Sequence, residues 1–519
     1  MNDTTRDREK QSAYPWLIAF IGMFSLFLSN GMTATGITIF DPSLLDEFGW
    51  ARGDFKARDL INFVVVALFS PIFGILIDRV NPKYLLMIAC GLLSLGYFGY
   101  SLIAEGAPVP LIEAIAVLTF VSFSALIAFT VRQIWTSLPM AVLVGVTAAL
   151  SAAALWFYFT NWSGVALKQV YTIHLLFALA LGGSGSPVVI FLVSSWFVKN
   201  RGLAIGIALI GTSMGSAVLP LVNPYLIEAY GWRQAYFYNA FMPVVLFLVV
   251  LFFVKGTPAQ AGMSALGQSA AIGDLKQHGL TFREAIRTRT FWAIGVSGFL
   301  TYFSIFAFVQ HLVLHLNKTF GYSLQDAGKT MFFFSIVAML AKFLIGAIAD
   351  RVDRHRVFTV CQVIMLVGVL AMASLEREWV FAAAIIIGIG WGGLFTLYNM
   401  LAVNNFGLRE IGRINGSISL LEAVGVGIGS WLAGKLFDIY GNYQVAFEMV
   451  AGAVLIAIVI GRMIRSEVDE RAVASPSPAI TASRAQQRES RYPTYRHPAL
   501  GDERRASAAV ATRPMQASA

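Results

Sequence analysis

Charge is scarce in this sequence. Asp, Glu, Lys and Arg make up 13% of its 519 residues, about half the share of an ordinary soluble domain. Cysteine is scarcer: Cys90 and Cys361 stand alone, far apart and each inside an apolar run, which argues against a disulfide framework or a cysteine metal site. The six histidines show no ligand spacing. There is no glycine-rich phosphate loop and no nucleophilic triad, so neither a self-contained ATP-driven pump nor a hydrolase finds its machinery here. We expect no enzyme activity, no cofactor and no metal.

What the chain has is apolar length. Hydrophobic residues make up 57% and the mean hydropathy is +0.69. A bilayer span needs about 20 apolar residues, and we count fourteen such runs between Tyr14 and Ile464. The first lacks a small-residue cleavage site and is read as a retained helix. The net charge of +9 sits in loops and the tail and implies no nucleic-acid partner. Basic residues set the orientation. With the N-terminus inside, the inner segments (6–10, 79–83, 132, 199–201, 255–289, 351–356, 409–413 and 462–471) hold 21 Lys and Arg. The outer ones (52–58, 168, 233, 318, 329, 377 and 435) hold 9. Both termini are expected in the cytoplasm, on a multi-pass protein of the inner (plasma) membrane.

The chain repeats itself. Gly74-Ile75-Leu76-Ile77-Asp78-Arg79 returns as Gly346-Ala347-Ile348-Ala349-Asp350-Arg351, an offset of 272 (346 − 74). Gly182-Gly183 returns as Gly392-Gly393, Gly206 as Gly416, Gly215 as Gly425 and Tyr230-Gly231 as Tyr440-Gly441, each at an offset of 210 (392 − 182). The first half therefore carries 62 extra residues (272 − 210) between Arg79 and Gly182, where two apolar runs lie at 109–131 and 138–159. An inserted pair leaves the later helices in their original direction. The expected architecture is all-α and membrane-integral. It is a six-plus-six bundle with a two-helix insertion after the third helix, about fourteen transmembrane helices in all, as in transporters built from repeats.

Segment boundaries follow. Residues 1–13 are a cytoplasmic N-terminus, 14–254 an N-terminal bundle with the insertion at 109–159, 255–290 a cytoplasmic linker and 291–466 a C-terminal bundle. The linker begins rich in Gly, Ala and Ser and ends in a basic interfacial helix near Thr281 to Arg289. Residues 467–519 have few large apolar side chains and read as a disordered tail.

The paired Gly-x-x-x-Asp-Arg motifs resemble those of the major facilitator superfamily, over roughly Tyr14 to Ile464. Further strings resemble its monocarboxylate and oxalate–formate porter branch: Arg201-Gly202-Leu203-Ala204, Gly231-Trp232-Arg233, Arg283-Glu284-Ala285, Phe291-Trp292 and Gln310-His311-Leu312. Two departures stand out. Val80-Asn81-Pro82-Lys83 follows the first Asp-Arg where the branch often has Gly-Arg-Arg, and the inserted pair is not in the usual twelve-helix plan. The resemblance implies alternating access and an organic anion as substrate.

Several residues are candidates for that chemistry. Gly74, Asp78, Arg79, Gly346, Asp350 and Arg351 fit a gating latch, in which a carboxylate at a helix end accepts hydrogen bonds and pairs with arginine. A solvated turn is the alternative, and the repetition of the motif favours the latch. Lys342 lies eight residues before Asp350, about 12 Å inside the inner edge at 1.5 Å per residue. A mid-helix lysine costs about 2.5–3.5 kcal/mol on insertion scales, so it is expected to face a cavity. The resemblance places a substrate-binding arginine at this helix position, and lysine offers a point charge in place of a fork. Glu422, nine residues past Arg413, shares that level and is the candidate for proton coupling, with an ion pair to Lys342 expected. Asn30, Thr33, His311, Tyr398 and Asn399 are candidate substrate contacts; each singly fits a helix-packing hydrogen bond better, and together they suggest a polar-tinged cavity. The expected function is secondary active transport of a small organic anion, a carboxylate, by proton symport or anion exchange. Expected partners are that substrate, a coupling proton or counter-anion, and the lipid bilayer around a monomer. A carrier of a neutral or cationic compound, or a sensor on the same scaffold, are the alternatives.

Overall fold

The computed structural model describes residues 3–105, part of 110–124, 165–266, and 279–465 except 350, 375 and 408. The inserted pair is thus covered only by scattered residues near its start. The tail 467–519 and Asp350 lie outside the described residues, as does the side chain of Asp78.

All regular elements among the described residues are helices. The first half holds α1 (Asp3–Asn30), α2 (Asp41–Phe48), α3 (Arg52–Arg79), α4 (Pro82–Ser101), α5 (Val165–Ser184), α6 (Ser186–Trp196), α7 (Arg201–Asn239) and α8 (Phe241–Phe253). After α9 (Phe282–Ala285) in the linker, the second half holds α10 (Arg289–Leu314), α11 (Leu324–Ala349), α12 (Arg354–Ala373), α13 (Arg377–Phe406), α14 (Ile411–Tyr440) and α15 (Gln444–Gly461). Ten stretches among the described residues are long and apolar enough to cross a membrane. One of them, Arg201–Phe253, breaks at Gly231 (φ 80°), which any side chain would strain. Local chemistry sets the helix starts. Asn81 caps the amide of Lys83 with Pro82 in the first turn, Asp353 caps Arg356, and Thr281 with Glu284 forms a capping box.

Both halves begin and end at the same side of the molecule. There the Tyr14 hydroxyl donates to the Phe253 carbonyl (2.6 Å), and the Thr290 hydroxyl donates to that of Arg465 (3.1 Å). We call this the linker end and its opposite the far end.

The internal repeat is visible in the packing. In the first half Gly215 of α7 lies against the backbone of Phe27 in α1. In the second, Gly425 of α14 lies against the backbone of Phe299 in α10. Phe27 and Phe299 differ by 272, and Gly215 and Gly425 by 210, the two offsets of the sequence repeat. A glycine at each position lets two backbones approach where no side chain would fit.

The halves meet along two seams, α3 with α14 and α7 with α11. A Cβ on Gly434 of α14 would sit 2.9 Å from the Cα of Gly53 in α3, so that seam depends on the absence of a side chain. Polar bonds across the halves gather at the far end. The amides of Arg52 and Gly53 donate to the two carboxylate oxygens of Asp438 (2.8 and 2.7 Å), which sets an anion on the positive end of α3. Lys435 reaches Asp54, and Lys318 reaches Asp46. Below them the rings of Phe63 and Phe306 meet edge to face across the seam, 5.5 Å apart.

Candidate functional site

Between the halves lies a cavity of about 300 Å³. Its position follows from a local irregularity in the first helix. After Asn30 the chain loosens into a wide π-helical turn, Gly31–Thr35, and then tightens into a 3-10 turn, Gly36–Phe40. Such turns break the regular backbone ladder and often mark functional sites. Here Asn30 and Thr35, at either side of the wide turn, both line the cavity.

Lys342 of α11 lines the same cavity, half-buried. Its Nζ donates to Ser213 Oγ of α7 (2.8 Å) and lies 4.2 Å from the centre of the Phe395 ring, a cation–π contact. Thr396 donates to the Lys342 carbonyl (3.1 Å), which ties α11 to α13 at this level. Glu422 of α14 also lines the cavity and is 8% exposed. The ion pair expected between these two is not formed: among the described residues neither has a partner of opposite charge within 4.0 Å. Gly298 leaves room beside Glu422, since a Cβ there would sit 3.2 Å from its Oε1.

Four other expected contacts lie elsewhere. Thr33 is buried and donates to the Ser29 carbonyl (2.5 Å). Tyr398 stands behind the cavity wall, its hydroxyl bonded to Ser297 (2.9 Å) and Thr301 (2.8 Å). Asn399 is exposed and donates to the Phe395 carbonyl (2.9 Å). His311 sits at the far end, with Nε2 donating to the Ser430 carbonyl (2.8 Å) and Nδ1 2.9 Å from the Tyr443 hydroxyl. Of the latch residues, Gly74, Arg79 and Arg351 are exposed and Gly346 partly so.

A second polar site was not foreseen. Asp41, Lys56, Arg58 and Asp59 are buried together near the far end. Lys56 Nζ lies 2.7 Å from Asp41 Oδ2 and 3.4 Å from Asp59 Oδ2, and Arg58 pairs with Asp41 through the other oxygen. Two acids and two bases make the group formally neutral. It reaches the other half through Ser430 Oγ, which donates to Asp59 Oδ2 (2.7 Å). A polar chain thus runs from Arg52 to the Tyr443 hydroxyl, on to His311, to the Ser430 backbone, and through its hydroxyl to Asp59. Lys56 and Arg58 had been counted with the outer loop. The signal against that was present: Gly49, at φ 64°, ends α2, and α3 starts at Arg52. Both residues therefore lie inside a helix that runs on into apolar sequence without a turn.

Comparison with known proteins places this arrangement. The sequence model described as Major Facilitator Superfamily matches residues 133–429 and 332–505. The chain belongs to the major facilitator superfamily. It is 24% identical over 251 residues to the "Uncharacterized MFS-type transporter YhjX" of Escherichia coli, covering 48% of this chain and 60% of that one. It is also 24% identical over 301 residues to "Monocarboxylate transporter 10" of Danio rerio, covering 56% and 58%. The matched stretch therefore spans about three fifths of these relatives. A solved bacterial homolog of the human lysosomal transporter Spinster, inward-facing and occupied, superposes with a TM-score of 0.58. It shares 12% identity and covers 87% of this chain and 96% of its own, a likeness of fold. The family and the spans identify a multi-pass membrane protein.

Proposed function

We propose that this protein is a secondary active transporter of a small organic carboxylate, working by alternating access. The supporting observation is Lys342. An ammonium group in a cavity between two halves, held by a neutral hydroxyl and an aromatic face, keeps its charge available for an anion. Glu422, in the same cavity, is the proposed proton carrier. It would be neutralised as an anion enters and would give up its proton on the other side, which is proton symport; anion exchange would leave it idle. The branch strings, together with the monocarboxylate transporter among the relatives, favour a carboxylate. In this reading Asn30 contributes a polar contact. Thr33, His311, Tyr398 and Asn399 serve the site through helix packing in the conformation described, and Gly74, Asp78, Arg79, Gly346, Asp350 and Arg351 form the inner latch.

The finer architecture belongs to the same proposal: a twelve-helix core, a peripheral hairpin at 109–159 with its Arg132 turn in the cytoplasm, and both termini on that side of the inner membrane. The far end then faces outward, and its polar seam is the closed outer gate. The test is uptake into proteoliposomes of carboxylates, neutral compounds and cations, with and without a pH gradient. Carboxylate uptake lost in Lys342→Ala and partly kept in Lys342→Arg is the expected result. Cation uptake that depends on Glu422 and not on Lys342 would favour the other reading, since Glu422 is the acid in this cavity.

A further inference from the structure

The cavity limits which carboxylate it can take. Its walls are dominated by Phe63, Tyr302, Phe306, Phe334, Trp391 and Phe395. Tyr302 and Trp391 meet at 87° with ring centres 4.9 Å apart, and Trp391 lies 5.8 Å from Phe395, the ring under Lys342. The aromatic wall is thus continuous with the cationic point. Among the described residues lining the cavity Lys342 is the one cation, and Glu422 adds a carboxyl group. A dianion would find one positive partner and one potential repulsion.

The polar groups on the opposite wall are largely engaged with one another. Thr35 Oγ1 donates to Ser216 Oγ (2.6 Å), Ser216 to the Thr212 carbonyl (3.0 Å), and Thr212 to the Leu209 carbonyl (2.8 Å). A polyhydroxylated acid would set most of its hydroxyls against aromatic faces, where a hydroxyl that leaves water unpaired is penalised. A two- or three-carbon acid would leave most of the volume unfilled. Ser335 Oγ is buried without a hydrogen-bond partner and lines the cavity, on the helix that carries Lys342 and seven residues before it. That separation is about 10.5 Å along the axis.

We propose that the transported anion is an aryl monocarboxylate. Its carboxylate sits on Lys342 and Ser213, its ring stacks along Trp391 and Tyr302, and at most one ring substituent points toward Ser335. This rests on the reading of Lys342 as the anion site, and the experiment separates the two. Purified protein in proteoliposomes is titrated with phenylacetate, indole-3-acetate, lactate, oxalate and galacturonate, with binding read by calorimetry. Wild type, Lys342→Ala, Trp391→Ala and the conservative Trp391→Phe are compared, each checked for monodispersity.

Aryl acids should bind about tenfold or more tighter than lactate, the ratio that one good aromatic contact supplies. Trp391→Ala should erase most of that ratio while keeping Lys342-dependent lactate binding, and Trp391→Phe should restore it. If oxalate, lactate or galacturonate binds as well as phenylacetate and still needs Lys342, the aryl inference is overturned and the anion site stands. If no acid binds, or if binding survives Lys342→Ala, both fall. An aryl preference that ignores both Trp391 substitutions overturns the assignment of the ring to this wall.

Discussion

The two halves share a fold and differ in where they keep their charge. The packing of Phe27 on Gly215, and of Phe299 on Gly425, fixes the equivalence at offsets of 272 and 210. Carried to the cavity, Asn30 answers to Tyr302, Thr212 to Glu422, and Ser70 to Lys342. Both Asn30 and Tyr302, and both Thr212 and Glu422, line the cavity. The first half thus offers amide and hydroxyl groups where the second offers a phenol and an acid. At the far end the asymmetry reverses. Asp41, Lys56, Arg58 and Asp59 answer to Val313, Gly328, Thr330 and Met331. One half holds a buried cluster of paired charges near the far end, and the other holds unpaired charges that face a cavity. A membrane chain tolerates the first arrangement because the pairs satisfy one another. The second calls for a ligand or a proton to complete it.

Breaking a pair should cost more than removing an unpaired charge. Asp41→Ala leaves Lys56 and Arg58 sharing Asp59, with one uncompensated positive charge in a buried site, and a broken buried pair costs about 3–5 kcal/mol. The expected outcome is a large fall in thermal stability or in folded yield, measured by fluorescence-detected size exclusion. A stable, well-folded Asp41→Ala protein would mean that the group is hydrated and that its pairing does not hold the far end together.

Lys342→Ala inverts that pattern. It removes a cation without stranding an acid, so stability should move by no more than about 1 kcal/mol while carboxylate uptake falls by about a hundredfold or more. That fold-change corresponds to about 2.8 kcal/mol, within the range for a lost charge-assisted contact. A sharper form uses Lys342→Ala with Glu422→Ala. If the two residues are independent in stability, as their lack of contact implies, the effects should add within about 0.5 kcal/mol. Strong coupling would show that they pair in another conformation.

Glu422→Gln should have a smaller effect. The amide imitates the protonated acid, so uptake should lose its stimulation by an inward proton gradient while exchange of carboxylate for carboxylate continues. Initial rates with and without the gradient decide this. Stimulation that survives the substitution would move the coupling group elsewhere.

How much of this was legible beforehand depended on the kind of signal. The ten spans among the described residues and the repeat could be read because bilayer thickness and a doubled chain leave periodic traces in apolar residues and glycines. That Lys342 and Glu422 line a cavity could be read because charge deep in an apolar run is expensive and therefore conspicuous. The cavity wall could not be read, because Trp391 and Phe395 look like any other lipid-facing aromatic until the helix is rotated into place. His311 and Tyr398 carried polar groups into apolar runs for packing reasons, so polarity alone did not distinguish them from lining residues. Lys56 and Arg58 were hidden by their nearness to a helix start, where charge is ordinarily cheap. Their burial depends on Asp41, which an irregular turn in the preceding helix brings to them.

The smallest expected effect tests whether the far-end group is joined to the other half. Ser430 contributes two bonds by different atoms. Its backbone carbonyl accepts from His311, and its hydroxyl donates to Asp59. Ser430→Ala removes only the second, so the polar chain is cut at the seam between the halves while each half stays intact. A hydrogen bond to a charged group contributes about 1.5–3 kcal/mol. Asp59 retains Lys56 at 3.4 Å, so the cost should fall at the lower end and act on the closed far end alone. The ratio of closed to open far end should drop by about tenfold, with folded yield unchanged. A cysteine at Ala433, buried in α14 three residues from Ser430, reports this as faster labelling by an impermeant maleimide in the Ser430→Ala background. Equal labelling in both backgrounds would confine the Asp59 group to the first half and leave the seam to Asp438, Lys435 and the glycine contact at Gly434.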